Sequence, residues 1–279
     1  MNRIFLTIIG AGLLATLLSG CGSTAKFVYP SNMKNLERIE SPTAEKKNIA
    51  ILPFDDYRKD ENSSTLLWIG LIPLCPYGWV LNNRPEAARS FASIEEFDMN
   101  VSEDLAKATA VSLRRSNLFS NAFFTFGGEK DKADYVLNGK INYLFYKGRI
   151  FTYGISVLSP IFWGIGFPYG TSLDRISVTL TIKNAIDNKI VWEYTVDKED
   201  YYTQWVYSRM GWDARLYAKL YENGMNEAVL NLAKTFKEIK EKEERKKKEE
   251  AEKKKKQEEE RKKKQELPKD YVPEPRLAK

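Results

Sequence analysis

Between Ile176 and Val196 the chain alternates more strictly than anywhere else. Ile176, Val178, Leu180 and Ile182 interleave with Ser177, Thr179, Thr181 and Lys183. After Asp187-Asn188 the pattern resumes, with Trp192, Tyr194 and Val196 set against Glu193, Thr195 and Asp197. Successive side chains of a strand point to opposite faces, so a period of two with one polar face predicts an antiparallel hairpin, half in a core and half in water.

The rest of the chain supplies what would cover the apolar face. Asn48 to Phe54 is a short apolar run closed by Pro53 and Asp55-Asp56, and reads as a buried central strand. From Asn100 to Ser116, Val101, Leu105, Ala108 and Val111 recur at helical spacing, and Arg114 and Arg115 complement the dipole of the last turn. Phe119 to Phe126 reads as a strand, and another begins at Ala133 and continues through Ile141 towards Tyr146. A helical pattern starting near Trp212 takes in Leu216, Leu220, Val229, Leu232 and Phe236, with a break expected at Asn223-Gly224. This order predicts an α+β domain over residues 46–236, a largely antiparallel sheet with helices on one face. Its roughly 190 residues can bury a substantial core.

At the amino end, Met1-Asn2-Arg3 precedes an uncharged run from Ile4 to Leu18. A basic start, an apolar run and small residues form the layout of a cleaved secretory leader over residues 1–20. The apolar run falls short of the roughly 20 residues a membrane-spanning helix needs. Leu18-Ser19-Gly20-Cys21 resembles the lipobox of bacterial lipoproteins. That resemblance implies a diacylated Cys21 as the mature amino terminus and the lipid bilayer as its first partner. Gly22, in place of an aspartate, implies export to the outer membrane, with the domain facing the periplasm. Residues 21–45, polar and broken by Pro30 and Pro42, read as a flexible tether. Cys75 is then left without an intramolecular disulfide partner and reads as a small buried thiol.

Net charge is +6, but residues 237–266 hold 15 Lys and Arg against 11 Glu, so the folded part is near neutral and nucleic acid is not an expected partner. The chain has no histidine, which removes the usual general base and the commonest metal ligand. Asp55, Asp56, Asp60 and Glu61 are the nearest approach to an acidic site, and without a companion nucleophile they read as a solvated loop. No catalytic residue, metal or cofactor is expected.

Asn48 to Phe54, the helix ending near Leu118-Phe119, and Ala133-Asp134-Tyr135-Val136-Leu137-Asn138-Gly139 together resemble a group of periplasmic domains. The group includes the amino-terminal domain of the Tol-system translocation protein, the curli-secretion pore lipoprotein and the lipoprotein activators of penicillin-binding proteins. The resemblance implies a compact, non-enzymatic binding or scaffold domain that takes another envelope protein as partner.

Two apolar insertions depart from that pattern. Residues 66–81 contain Trp68, Ile69, Leu71, Ile72 and Trp79, with Pro73 and Pro76 excluding a continuous helix or central strand. Residues 151–170, with Ile161, Phe162, Trp163, Ile165 and Phe167, split at Ser159-Pro160 into halves that alternate large apolar with small residues. Three readings stay open. The insertions cover one end of the sheet and bury each other, their Pro-Tyr-Gly repeats forming similar turns; or they touch lipid or a partner groove; or 151–170 is a membrane hairpin that closes a secretion pore from several copies.

In residues 237–266 Glu238, Glu241, Glu243, Glu249 and Glu258 each stand four residues before a cation. Such pairs support a helix, and the missing heptad apolar positions exclude a coiled coil. A solvated single helix about 40 Å long is expected, followed by a Pro-containing tail over 267–279. That tail is either a solvated end or a segment presenting Tyr271, Val272 and Pro273 to a partner.

Overall fold

A computed structural model describes residues 24–39, 45–65, 72, 74–87, 96–208 and 216–265. Cys21 and the tail residues Tyr271, Val272 and Pro273 lie outside the described residues. The strands are β1 (Thr24–Lys26), β2 (Glu45–Ile51), β3 (Asp55–Asp56), β4 (Asn62–Ser64), β5 (Tyr77–Asn82), β6 (Glu96–Asp98), β7 (Phe119–Phe124), β8 (Tyr135–Phe151), β9 (Gly170–Asn184) and β10 (Ile190–Gln204). The helices are α1 (Val101–Ser116), α2 (Ser159–Gly164) and α3 (Tyr217–Gln265). The fold is α+β. Eight of the strands form one mixed, mostly antiparallel sheet in the order β10-β9-β8-β2-β7, with β3 and β5 also on β8 and β4 on β5.

The hairpin read from alternation is β9 and β10, and it extends well past Ile176 and Val196 to pair Gly170 with Gln204. Ile176, Val178, Leu180 and Ile182 are fully buried. On the opposite face the hydroxyls of Thr179 and Thr195 meet at 3.0 Å. Ile49, Ala50 and Ile51 of β2 are also fully buried, between parallel neighbours β7 and β8. That is why their run carries no polar alternation. The helix α1 is capped by the Asn100 side chain, which accepts from the Glu103 amide, and it packs on β2 and β7 with Leu105 and Leu113 buried. Arg114 does more than face the dipole: its guanidinium donates to the Ala122 carbonyl at 2.8 and 3.1 Å and so joins α1 to β7.

The first turns of α3 lie on the same face of the sheet as α1. Thr109 Oγ1 donates to the Leu105 carbonyl, so the Tyr221 hydroxyl, 2.6 Å away, donates to Thr109. Farther along, Trp192 of β10 donates to Asn231 at 2.9 Å. The break expected at Asn223-Gly224 is absent. A Cβ at Gly224 would stand 2.2 Å from Val196 Cγ1, so the glycine marks a close helix-to-sheet approach and not a helix end. Gly224→Ala should therefore destabilise the protein by about 1 kcal/mol, the overpacking cost exceeding the propensity gain. A lower urea midpoint checks this; a higher one would contradict the packing argument.

The tether reading fails for residues 24–39. β1 pairs in parallel with β6. Ser31 donates from its amide and hydroxyl to the Glu222 carboxylate at 2.9 and 2.8 Å, and the Glu37 amide donates to Asn226 at 2.9 Å. Tyr29 reaches the Ser112 hydroxyl, and Leu36 is buried. Within the polar run that suggested a tether, Ser31, the Glu37 amide and the Asn35 carbonyl satisfy side chains of α3.

The described chain divides into two units, one ending at Asn231 and one beginning at Leu232, a few residues before the boundary read from charge. In the second unit the helix continues to Gln265, and every residue from Lys240 to Glu259 is exposed, as a solvated charged helix requires.

Candidate functional site

The strand β8 runs on beyond its pairing with β2. Its last residues, Tyr146 to Phe151, lie between β5, which pairs Tyr77 with Phe151, and β9, which pairs Gly170 with Ile150. The two Pro-Tyr-Gly repeats are therefore not the matching turns expected of them; each leads into a strand flanking the end of β8. The amides of Thr152 and Tyr153 donate to the Pro76 carbonyl at 2.9 and 3.1 Å, the Phe151 amide donates to Tyr169 at 2.9 Å, and the Tyr153 hydroxyl donates to Pro168 at 2.6 Å. Gly170 is required where it stands, because a Cβ there would lie 2.2 Å from the Arg149 carbonyl.

The membrane hairpin that was one of the three readings of 151–170 does not form. β8 ends at Phe151 and β9 begins at Gly170. Between them lie a left-handed turn at Tyr153 and Gly154, a 3₁₀ turn over Ser156–Leu158, and α2 with Pro160 in its first turn. Proline suits the first turn of a helix, where its missing N–H would be unpaired in any case. The small residues that mimicked an inward strand face serve backbone geometry instead: Gly154 and Gly166 take φ of 76° and 101°. The secretion-pore reading thus loses the two strands it needed.

What forms is a cap with its rings clustered against one another. Tyr153, Phe162 and Phe167 make a triangle with centroids 5.4 to 5.6 Å apart. Trp163 packs edge-on against Tyr169 and donates to the Phe151 carbonyl at 2.9 Å. Ser159 donates to Thr152 at 3.1 Å. Most of the aliphatic residues are exposed: Val157 is 73% exposed, Ile165 68%, Ile161 61% and Leu158 57%, while Ile155 is half-buried and Phe167, in the ring cluster, is 45% exposed. From the first insertion, Leu74 donates its amide to Gly154 at 3.1 Å while its side chain is 84% exposed. Ile72 is exposed, and so is Trp79 on β5. Trp68, Ile69 and Leu71 lie outside the described residues. The insertions are joined by backbone hydrogen bonds; Val80 is buried and Ile155 half-buried, but most of their described aliphatic side chains are exposed, against the reading in which the insertions bury each other.

A third segment meets this end of the sheet and has no periodicity to announce it. After β10, Trp205, Val206 and Tyr207 form a turn closed by Trp205 and Ser208, and the Tyr207 hydroxyl donates to the Gly164 carbonyl. Its one legible signal is charge: residues 62–83, 150–173 and 201–208 contain no Asp, Glu, Lys or Arg. The cations begin just below, where Arg149 lies 4.8 Å from the centre of the Tyr77 ring.

A buried ion cluster sits near the base of the β4–β5 hairpin. The Arg58 side chain is 2% exposed and donates to both Asp56 oxygens at 2.9 Å, to Glu86 at 2.5 and 3.2 Å and to the Asn83 carbonyl at 3.2 Å. Burial pushes the Asp56 carboxyl up, but the hydrogen bonds and charge of Arg58, with Arg84, outweigh it and hold the carboxyl below its usual range. Asp56 therefore belongs to a structural clamp and not to the solvated loop expected for it. Cys75 is half-buried and free. Among the described residues no three of His, Cys, Asp and Glu converge to hold a metal ion, and no helix is long and apolar enough to cross a membrane.

No sequence-family profile matches the chain, and no curated protein does. Among solved structures it is similar to a Xanthomonas campestris protein of the DUF330 family, at 8% identity and a TM-score of 0.40, covering 79% of this chain and 99% of that one. It is also similar to the PelC dodecamer of Paraburkholderia phytofirmans, at 14% identity and a TM-score of 0.31, covering 68% and 91%. A third is lipoprotein GNA1162 of Neisseria meningitidis, at 14% identity and a TM-score of 0.24, covering 67% and 96%. Likenesses this distant pass neither a family nor a role to this chain.

Proposed function

We propose that the protein is a non-enzymatic envelope lipoprotein, acylated at Cys21 and held at the outer membrane, whose α+β domain acts as a binding or scaffold module beside the bilayer. The observation that carries this reading is the nearness of the lipid site to the fold. β1 begins at Thr24, so no more than about 10 Å of extended chain separates the acylated residue from a paired strand. A soluble domain joined so closely to several acyl chains cannot range far from the lipid surface, and stable attachment of that kind needs more than one chain.

The face of β9 and β10 opposite the helices supports the scaffold part. It carries Thr179, Thr181 and Thr195, and Arg175 pairs with Asp197 at 2.8 Å, a polar surface suited to another envelope protein. Growth with an alkyne-bearing fatty acid tests the reading. Label should enter the wild-type protein and be absent from Cys21→Ser, which keeps its leader; label in both, or in neither, would refute acylation at this residue.

A further inference from the structure

We infer that the charge-free end of the sheet inserts into the lipid surface, so that the domain stands end-on in the membrane that Cys21 anchors it to. The inference rests on the lipoprotein reading for what brings the domain to a bilayer, and on separate observations for how it sits there.

Leu74, Val157, Leu158, Ile161 and Ile165 are each more than half exposed, while the aromatic rings of the same segments pack behind them. A loop that only closed off the sheet would turn its branched aliphatics inward. Here the triangle of rings and the hydrogen bonds from Trp163, Tyr153 and Ser159 hold the aliphatic tip in shape before any contact. Little conformational freedom is then lost when the tip is covered. Contiguous exposed apolar surface of this kind marks an interaction site.

Lipid fits better than protein because of what surrounds the tip. The described parts of the three uncharged segments meet there, through Leu74 and Pro76, Thr152 to Gly154, and Tyr207 on Gly164. One level below, β5 and β8 pair Trp79 with Arg149 and Tyr77 with Phe151, and the Arg149 guanidinium stacks on the Tyr77 ring. Aliphatic residues outermost, then Trp and Tyr, then a cation is the order of a membrane interface, where aromatic rings sit at headgroup depth and cations meet anionic lipid. Tips of this sort enter about 5 to 10 Å, the depth of the headgroup and acyl boundary.

The first described strand after the anchor, β1, lies towards the same end. β1 is held by β6, whose Phe97 ring packs 5.7 Å from Tyr217. Along α3, Asn231 meets Trp192 and Gly224 packs on Val196, so Tyr217, two turns earlier, lies towards Asp200, level with the β8–β9 pair Tyr146 and Asp174. That pair stands four residues before Ile150, where the uncharged stretch begins.

Spin labels on the full acylated protein, in vesicles of phosphatidylethanolamine and phosphatidylglycerol, test this. With Cys75→Ser as background, a label at Ile165→Cys should collide with oxygen in preference to a water-soluble nickel chelate, and one at Thr195→Cys should show the reverse. Adding Ile161→Asp should move a label at Leu158→Cys into water without changing the melting temperature, since these side chains are exposed. A vesicle-bound protein whose Ile165 label meets nickel, or is shielded from both reagents by a second copy, would overturn insertion and leave the acylation reading intact. Bare Cys21 with the Ile165 label still in lipid would uphold insertion and overturn acylation. Bare Cys21 on a protein that stays off the vesicles would overturn both.

Discussion

A chain that starts at Gly22 and carries no acyl group is expected to lose membrane partition by orders of magnitude relative to the native protein. A single myristoyl chain gives a binding constant of only about 10⁴ M⁻¹, and each further buried methylene adds roughly 0.8 kcal/mol. On the proposed reading, acyl chains on Cys21 would supply most of the affinity, and the aliphatic tip near Ile161 and Ile165 would set orientation more than strength. In a flotation gradient the native protein should rise with vesicles almost completely and the unacylated chain should stay mostly at the bottom. Equal flotation would mean that the tip alone holds the domain, and the anchor would lose its place in the account.

Arg58→Ala should cost about 3 kcal/mol, the low end of the penalty for breaking a buried pair, because Asp56 and Glu86 would share a partly buried site with only Arg84, 3.6 Å from Asp56, left as a cation. That is a large part of the roughly 5 to 15 kcal/mol that stabilises a domain. The loss should appear as a lower urea midpoint, with β4 and β5 losing amide protection first, since Arg58 fastens the loop after β3 to the turn after β5. Acid supplies the companion result. The Asp56 carboxyl titrates below its unfolded value of about 3.9, so its contribution is complete above that pH and is lost as pH falls through the lower, folded value. Wild-type stability should therefore fall below about pH 4, while Arg58→Ala, lacking the pairing that depresses the carboxyl, should show a flatter acid limb. An unchanged midpoint in Arg58→Ala would show that the cluster stabilises nothing.

The elements legible in the sequence were those whose pattern follows from one local cause. The hairpin β9–β10 was visible because one of its faces meets water, β2 because neither does, and α1 because Asn100 caps a run with apolar residues on one face. The readings that failed depended on neighbours distant in sequence. Gly224 looks like a helix breaker until Val196 is seen against it, and the polar run from Ser31 to Glu37 looks like a tether until α3 supplies Glu222 and Asn226. In 151–170, large and small residues alternate for two unrelated reasons, ring packing and left-handed backbone, and together they imitate a strand. The composition of the candidate site was legible, as an excess of apolar residues in both insertions. The direction its aliphatics face was not, nor was the contribution of Trp205 to Tyr207, because both depend on how three separated segments meet beyond the end of β8.

If Cys21 is acylated as proposed, a paired fold begins within a few residues of the lipid. Mass spectrometry of the amino-terminal peptide from native membranes decides this. The peptide should begin at Cys21, with a diacylglycerol thioether and no trace of residues 1–20. A free thiol at Cys21, or a peptide still carrying Met1 to Gly20, would refute acylation.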